Sequence, residues 1–230
     1  MPARKRMTRK RRSTLSKSQK REVRRIAEKA VDAEIEDKQY VYIAENVQLN
    51  HNKPGYSSKL LQLITQGVSD GDQSAGGTTK TTCRVGDQIS LRNVNIRMWL
   101  SNKLDRPNVM YKGILFWYPV NNAPSDASVY KTQTNKMLDR YNDKDIQIID
   151  TFIVKSGAMY LNGTEKFEHS YLATLNKSYK NKKITFDGLT GVPKGKDLGF
   201  SIVCYDAYGT LQSDNIASFA WNMQLTFQDA

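Results

Sequence analysis

From Ser16 onward, apolar residues return every three or four positions: Val23, Ile26, Ala27, Ala30, Val31 and Ile35. That period places them on one side of a helix, while Lys17, Lys20, Arg21 and Arg24 fall together on a neighbouring side. Ser16-Lys17-Ser18-Gln19 has the Ser-x-x-Gln spacing by which a helix N-terminus satisfies two backbone donors reciprocally. The pattern predicts a basic amphipathic helix over residues 16–37.

At Lys38 the period changes to two. Tyr40, Tyr42 and Ala44 alternate with Val41, Ile43 and Glu45, a β-branched and aromatic run that reads as a strand. Similar runs follow at Ile89–Leu100, Val109–Tyr118, Ile146–Lys155, Phe167–Leu175, Lys183–Phe186, Leu198–Tyr205 and Ala217–Phe227. Turn-rich pieces separate them, among them Ser69–Gly77, Asn121–Asp126 and Leu189–Gly195, and only Ser125–Leu138 has room for a short helix between strands. About eight strands joined by long loops predict an all-β antiparallel sandwich over residues 38–230. A jelly roll leads the options, and periodicity alone leaves an immunoglobulin-like or barrel topology open.

Charge changes the picture. Residues 1–29 hold thirteen Lys or Arg against Glu22 and Glu28, a net +11 out of +12 for the chain. The remaining 201 residues carry 22 basic and 21 acidic side chains. Residues 1–15 combine dense like charge with almost no large apolar side chain, so a disordered basic arm is expected there. Such a polycation binds phosphates without reading base sequence, gaining affinity from released counterions. The expected phosphate contacts are Arg4, Lys5, Arg6, Arg9, Lys10, Arg11, Arg12, Lys17, Lys20, Arg21, Arg24 and Arg25. The Lys10-Arg11-Arg12 run equally fits a nuclear import signal.

Other chemistries find little material. No apolar run reaches 18 residues and the start is too polar for a secretory signal, which points to a soluble protein made in the cytosol, with no membrane partner. Cys83 and Cys204 are too few for a zinc site and read as small apolar residues, a single bridge between them being disfavoured in a reducing cell. His51 and His169 are the only histidines, and no phosphate loop, dinucleotide fingerprint or nucleophile elbow occurs, so no enzyme and no cofactor is expected. Asp143 and Asp145 are the carboxylates a hydrolytic sandwich would have to use. Asp70, Asp72 and Asp87 are the candidates for a structural calcium, although turns rich in Asp and Gly form without an ion. Trp99, Tyr111, Phe116, Trp117, Tyr118 and Trp221 have the faces to stack on bases, but their strand patterns favour core or interface positions. Lys177, Lys180, Lys182 and Lys183 form a second basic cluster, read as a solvated loop or a polyanion patch.

The order of these features resembles the small jelly-roll capsid proteins of icosahedral viruses, most closely the satellite tobacco necrosis virus type, with a pattern seen also in capsids of small circular single-stranded DNA viruses. The resemblance rests on the basic arm and helix leading into the first strand at Arg25–Ile43 and on Arg84-Val85-Gly86-Asp87-Gln88-Ile89 entering a long strand. It continues through the aromatic strand Ile114-Leu115-Phe116-Trp117-Tyr118, the loop Asn121-Asn122-Ala123-Pro124 and a last strand ending at Asp229-Ala230. It implies a coat protein that assembles, in the simplest case as a T=1 shell of 60 copies, with the arm directed inward onto a single-stranded genome. On this resemblance the genome is DNA ahead of RNA, and the protein resides in the virion, passing through the host nucleus if the arm also directs import. The alternative from composition is a cellular nucleic-acid-binding protein with a basic extension; that class normally carries basic residues on its folded face too.

Overall fold

The computed structural model describes residues 15–34, 37–66, 84–103, 105–106, 108–155, 170–206 and 210–229. The chain forms two compact units, Met1–Glu36 and Asp37–Ala230. In the first, one helix, α1, spans Lys17–Glu34. The segment 1–14, where the disordered arm is expected, lies outside the described residues.

The second unit is built from β1 (Lys38–Asn50), β2 (Gly55–Ser57), β3 (Gln88–Asn102), β4 (Val109–Pro119), α2 (Asp126–Val129), β5 (Gln147–Val154), β6 (Ser170–Thr185), β7 (Lys196–Asp206) and β8 (Asn215–Asp229). One sheet runs β1-β8-β3-β6 and the other β2-β7-β4-β5. β1 pairs with β8, β2 with β7, β3 with β6 and β4 with β5, all antiparallel, and the β3–β8 and β4–β7 pairings join these couples into sheets. That is one long hairpin folded over and wound into two layers, which makes the sandwich a jelly roll. Strand order supplies the choice that periodicity leaves open.

Two elements differ from the sequence expectation. Phe167–Leu175 and Lys183–Phe186 are expected as separate strands, but Ser170–Thr185 is continuous. Asn176–Lys183 has weak strand propensity, yet β3 pairs with Asn176–Ser178 and with Lys182–Lys183 on either side of a register shift at Leu91/Asn93. The eighth strand is instead Gly55-Tyr56-Ser57, three residues whose only strand-forming signal is pairing with Phe200–Ile202 of β7. The short helix for which Ser125–Leu138 has room forms at Asp126–Val129, where Ser125 and Ser128 close a capping box.

The core lies between the sheets. Ile89, Leu91, Val94, Ile96, Met98 and Leu100 alternate inward from β3, facing Leu115 and Trp117 of β4 and Phe200 and Ile202 of β7. β4 is buried on both faces, because Ile114, Phe116 and Tyr118 on its outer side are covered by Val129, Tyr130 and Ile146. A strand buried on both faces reads as a near-continuous apolar run, as Val109–Tyr118 does apart from Lys112. At the edge of the sandwich, Lys38 at the start of β1 forms an ion pair with Asp229 at the end of β8, and Asp229 Oδ1 also accepts from the Val85 amide at 3.1 Å.

Gly113 lies where β5 packs closely on β4. A Cβ there would sit 2.2 Å from Phe152 Cε1, so the β5 ring occupies the space a side chain needs. Gly113→Ala is expected to displace Phe152 and cost about 1–3 kcal/mol, as overpacking does. Urea unfolding of the variant checks this, and an unchanged midpoint would contradict it.

Candidate nucleic-acid interface

α1 is organised by its first turn. The Gln19 amide donates to Ser16 Oγ at 3.2 Å and the Ser16 amide donates to Gln19 Oε1 at 2.9 Å, so the Ser-x-x-Gln spacing closes as a capping box. Lys17, Lys20, Arg21, Arg24 and Arg25 are all exposed. No acid lies in the first turn, so Lys17 and Lys20 sit beside the positive end of the helix dipole and repel it. A phosphate placed there relieves the repulsion and meets backbone donors. Glu22 offsets part of the charge through Arg25, whose Nη2 donates to Glu22 Oε1 at 2.6 Å. Val23 and Ile26 are more than half exposed, which leaves an uncovered apolar stripe beside the cations. Arg4, Lys5, Arg6, Arg9, Lys10, Arg11 and Arg12 lie outside the described residues.

On the sandwich, the lysine cluster expected near a loop belongs to β6, with Lys177, Lys180, Lys182 and Lys183 all exposed. The fold also brings Lys194 from the β6–β7 connection and Lys196 from the start of β7 beside Lys182 and Lys183, and these four line a surface cavity of about 450 Å³ with Trp117. Lys182 Nζ stands 5.5 Å from the Trp117 ring centroid. Sequence reading misses Lys194 and Lys196 because ten or more residues separate them from the β6 lysines. Tyr111, Phe116, Trp117, Tyr118 and Trp221 are buried in the sandwich, so their faces are not open to bases, whereas Trp99 is exposed.

The carboxylate candidates have local partners. Asp143 accepts from Lys131 at 3.0 Å, which holds its carboxyl below the usual range, and Asp145 accepts from Asn142 Nδ2 at 2.7 Å. Asp87 Oδ1 lies 3.3 Å from the buried Arg84 guanidinium, while Asp70, Asp72 and Cys83 lie outside the described residues. Among the described residues, no three His, Cys, Asp or Glu side chains converge as a metal site. Cys204 is buried and its thiol donates to the Asn50 carbonyl, with burial pushing its pKa up to about 12. No helix among the described residues is long and apolar enough to cross a membrane.

His51, buried at the β1–β2 turn, ties three connections together. Its Nδ1 accepts from the Asp206 amide at 3.1 Å and its own amide donates to the Asp214 carbonyl at 2.9 Å. Arg106, from the β3–β4 connection, reaches Asp206 and Asp214 at 3.4 and 3.5 Å. Burial pulls the imidazole below its ordinary 6.5, against the attraction of Asp206 and Asp214 and with a smaller push from Arg106. The unfolded chain therefore takes up a proton that the folded one resists, and stability is lost as pH falls from about 6.5 through the folded value. His51→Gln, which keeps an acceptor, is expected to flatten this part of the profile in urea midpoints between pH 7.5 and 5.5. An unaltered profile would assign the acid sensitivity to other groups.

No protein-family model matches the chain, and no curated protein matches it. Among solved structures it is similar to a chain of the empty head of turnip yellow mosaic virus, at 12% identity over 85% of this chain and 82% of that one, with a TM-score of 0.34. It is also similar to a chain from Desmodium yellow mottle tymovirus, at 9% identity over 85% and 88%, with a TM-score of 0.30. At these scores the likeness carries no weight, and the jelly-roll assignment stands on strand pairing.

Proposed function

We propose that the chain is a viral coat protein whose sandwich assembles with copies of itself into a closed shell and whose basic N-terminal segment holds a packaged single-stranded genome. The observation that carries this reading is the segregation of charge: +11 in residues 1–29 against a nearly neutral remainder. A fold alone assigns no activity, but a neutral jelly roll can pack against its own copies without strong repulsion while the segment neutralises phosphates. In a shell of about 60 copies, segments of this charge enclose on the order of 660 positive charges, enough to offset a comparable number of phosphates. The T=1 arrangement is the simplest closed icosahedral one, and the resemblance favours DNA ahead of RNA. The virion is then the site of residence, with passage through a host nucleus if Lys10-Arg11-Arg12 also directs import.

The test is the mass of the purified protein by light scattering, with absorbance at 260 and 280 nm before and after nuclease. A particle on the order of 1.5 MDa, as 60 copies give, holding nuclease-protected nucleic acid is the expected result, and digestion of its extract distinguishes DNA from RNA. A monomer of 26.2 kDa that binds nucleic acid only at low salt would remove this reading. That outcome would favour a cellular nucleic-acid-binding protein, for which the lysine cavity at Lys182, Lys183, Lys194 and Lys196 is the observation in support.

A further inference from the structure

The outer face of the β1-β8-β3-β6 sheet carries an apolar line that its own unit leaves open. Ile43 on β1 is 41% exposed, Trp99 on β3 58% and Leu172 on β6 84%. Register fixes their positions: Ile43 lies opposite Asn222, Arg97 also lies opposite Asn222, and Trp99 lies between Ala220 and Leu172. The intervening β8 presents only the short Ala220 and Asn222, so a groove of about 190 Å³ forms, lined also by Glu45 and Arg97. With strands about 4.8 Å apart and same-face residues about 6.8 Å apart along each strand, Ile43, Trp99 and Leu172 fall close to one diagonal. Glu45 stands on one side of that diagonal and Arg97 on the other.

Both charged residues are exposed, and neither forms an ion pair among the described residues. We propose that this face is a two-fold contact between two copies of the chain. A two-fold axis lying in the plane of contact along the diagonal lays the apolar line of one copy on that of the other. The same rotation carries Glu45 of one copy, which lies in the β1 bulge between Ala44 and Val47, to within about 6 Å, in projection, of Arg97 of its partner on regular sheet spacings, a gap the two long side chains span. Because the contact is isologous, this pairing occurs twice. The pattern is complementary to itself, and that selects a second copy as the occupant. An interface with an apolar centre and charges at its rim has the anatomy of a specific contact. The proposal rests on the reading of the chain as a self-assembling protein, which supplies the need for contacts between copies.

The test uses the full chain and its variants Glu45→Arg, Arg97→Glu and the double exchange, followed by light scattering against concentration and by iodide quenching of tryptophan fluorescence. Trp117 and Trp221 are 4% and 7% exposed, so iodide reports Trp99. Each single exchange sets like charges face to face twice and is expected to weaken self-association about tenfold or more, while the double exchange returns it to within about threefold of the original. Trp99 quenching should fall as association proceeds. Single variants that associate normally, or a double variant as weak as both singles combined, would overturn the contact. Particles that protect nucleic acid while Trp99 stays open to iodide would also overturn it and leave the shell reading intact. A dimer with Trp99 shielded and no larger particle would support the contact and remove the shell. A monomer at every concentration would remove both.

Discussion

Alanine at Arg9, Lys10, Arg11 and Arg12 together is expected to leave the sandwich folded and to reduce the nucleic acid held by purified particles. The four residues precede the unit Asp37–Ala230 that forms the sandwich. Their removal lowers the charge of residues 1–29 from +11 to +7. Each phosphate of a single strand that is left without its cation takes about 0.7 from the slope of log affinity against log salt, so the slope should shrink by about 3. At moderate salt this amounts to roughly a hundredfold in affinity. The checks are the absorbance ratio of purified particles, the salt slope for a single-stranded oligonucleotide, and the thermal midpoint of the sandwich, which should not move. Unchanged nucleic-acid content would sink the packaging role of these cations.

Lys112→Met should be among the most destabilising single changes in the sandwich. Lys112 lies on the outer side of β4, 6% exposed, and its Nζ donates to the backbone carbonyls of Asp139 at 2.6 Å, Lys136 at 3.2 Å and Met137 at 3.4 Å. The same nitrogen lies 4.4 Å from the Tyr141 ring centroid. Burial pulls the ammonium below its ordinary range, partly opposed by Asp139, so the three carbonyls are what make a charged group tolerable there. Methionine fills the volume but leaves those acceptors without their donor, at an expected cost of about 2–4 kcal/mol. For a domain of this size that is a fall of roughly 5–12 °C in Tm. The segment 129–146, whose Val129, Tyr130 and Ile146 cover Ile114, Phe116 and Tyr118, should also become more open to proteases. A variant with the original midpoint and digestion pattern would show that water or a rearranged loop replaces the lysine.

The contrast between these two predictions also shows what the sequence could disclose. The concentration of basic charge in residues 1–29 is legible because charge density needs no tertiary structure to exist, and α1 because its period and the Ser16–Gln19 spacing are local. β3, β4 and β8 are long apolar or alternating runs, so they too are local signals. Lys112 is visible in the sequence as one cation inside Val109–Tyr118, an anomaly that marks a buried group with partners, but its three carbonyls come from a loop 24 to 27 residues away. β2 and the polar half of β6 are strands only because β7 and β3 lie beside them, and pairing partners at that distance leave no trace in a short window. The same holds for the lysine cavity and for the diagonal on the outer sheet, both of which exist only once β6, β7, β3 and β1 are assembled.

The ion pair between Lys38 and Asp229 joins the first residue of β1 to the last of β8. The sandwich therefore has a single doorway through which its chain enters and leaves. A pull on either strand end at this point is shared between β1 and β8, because the two pair with each other there.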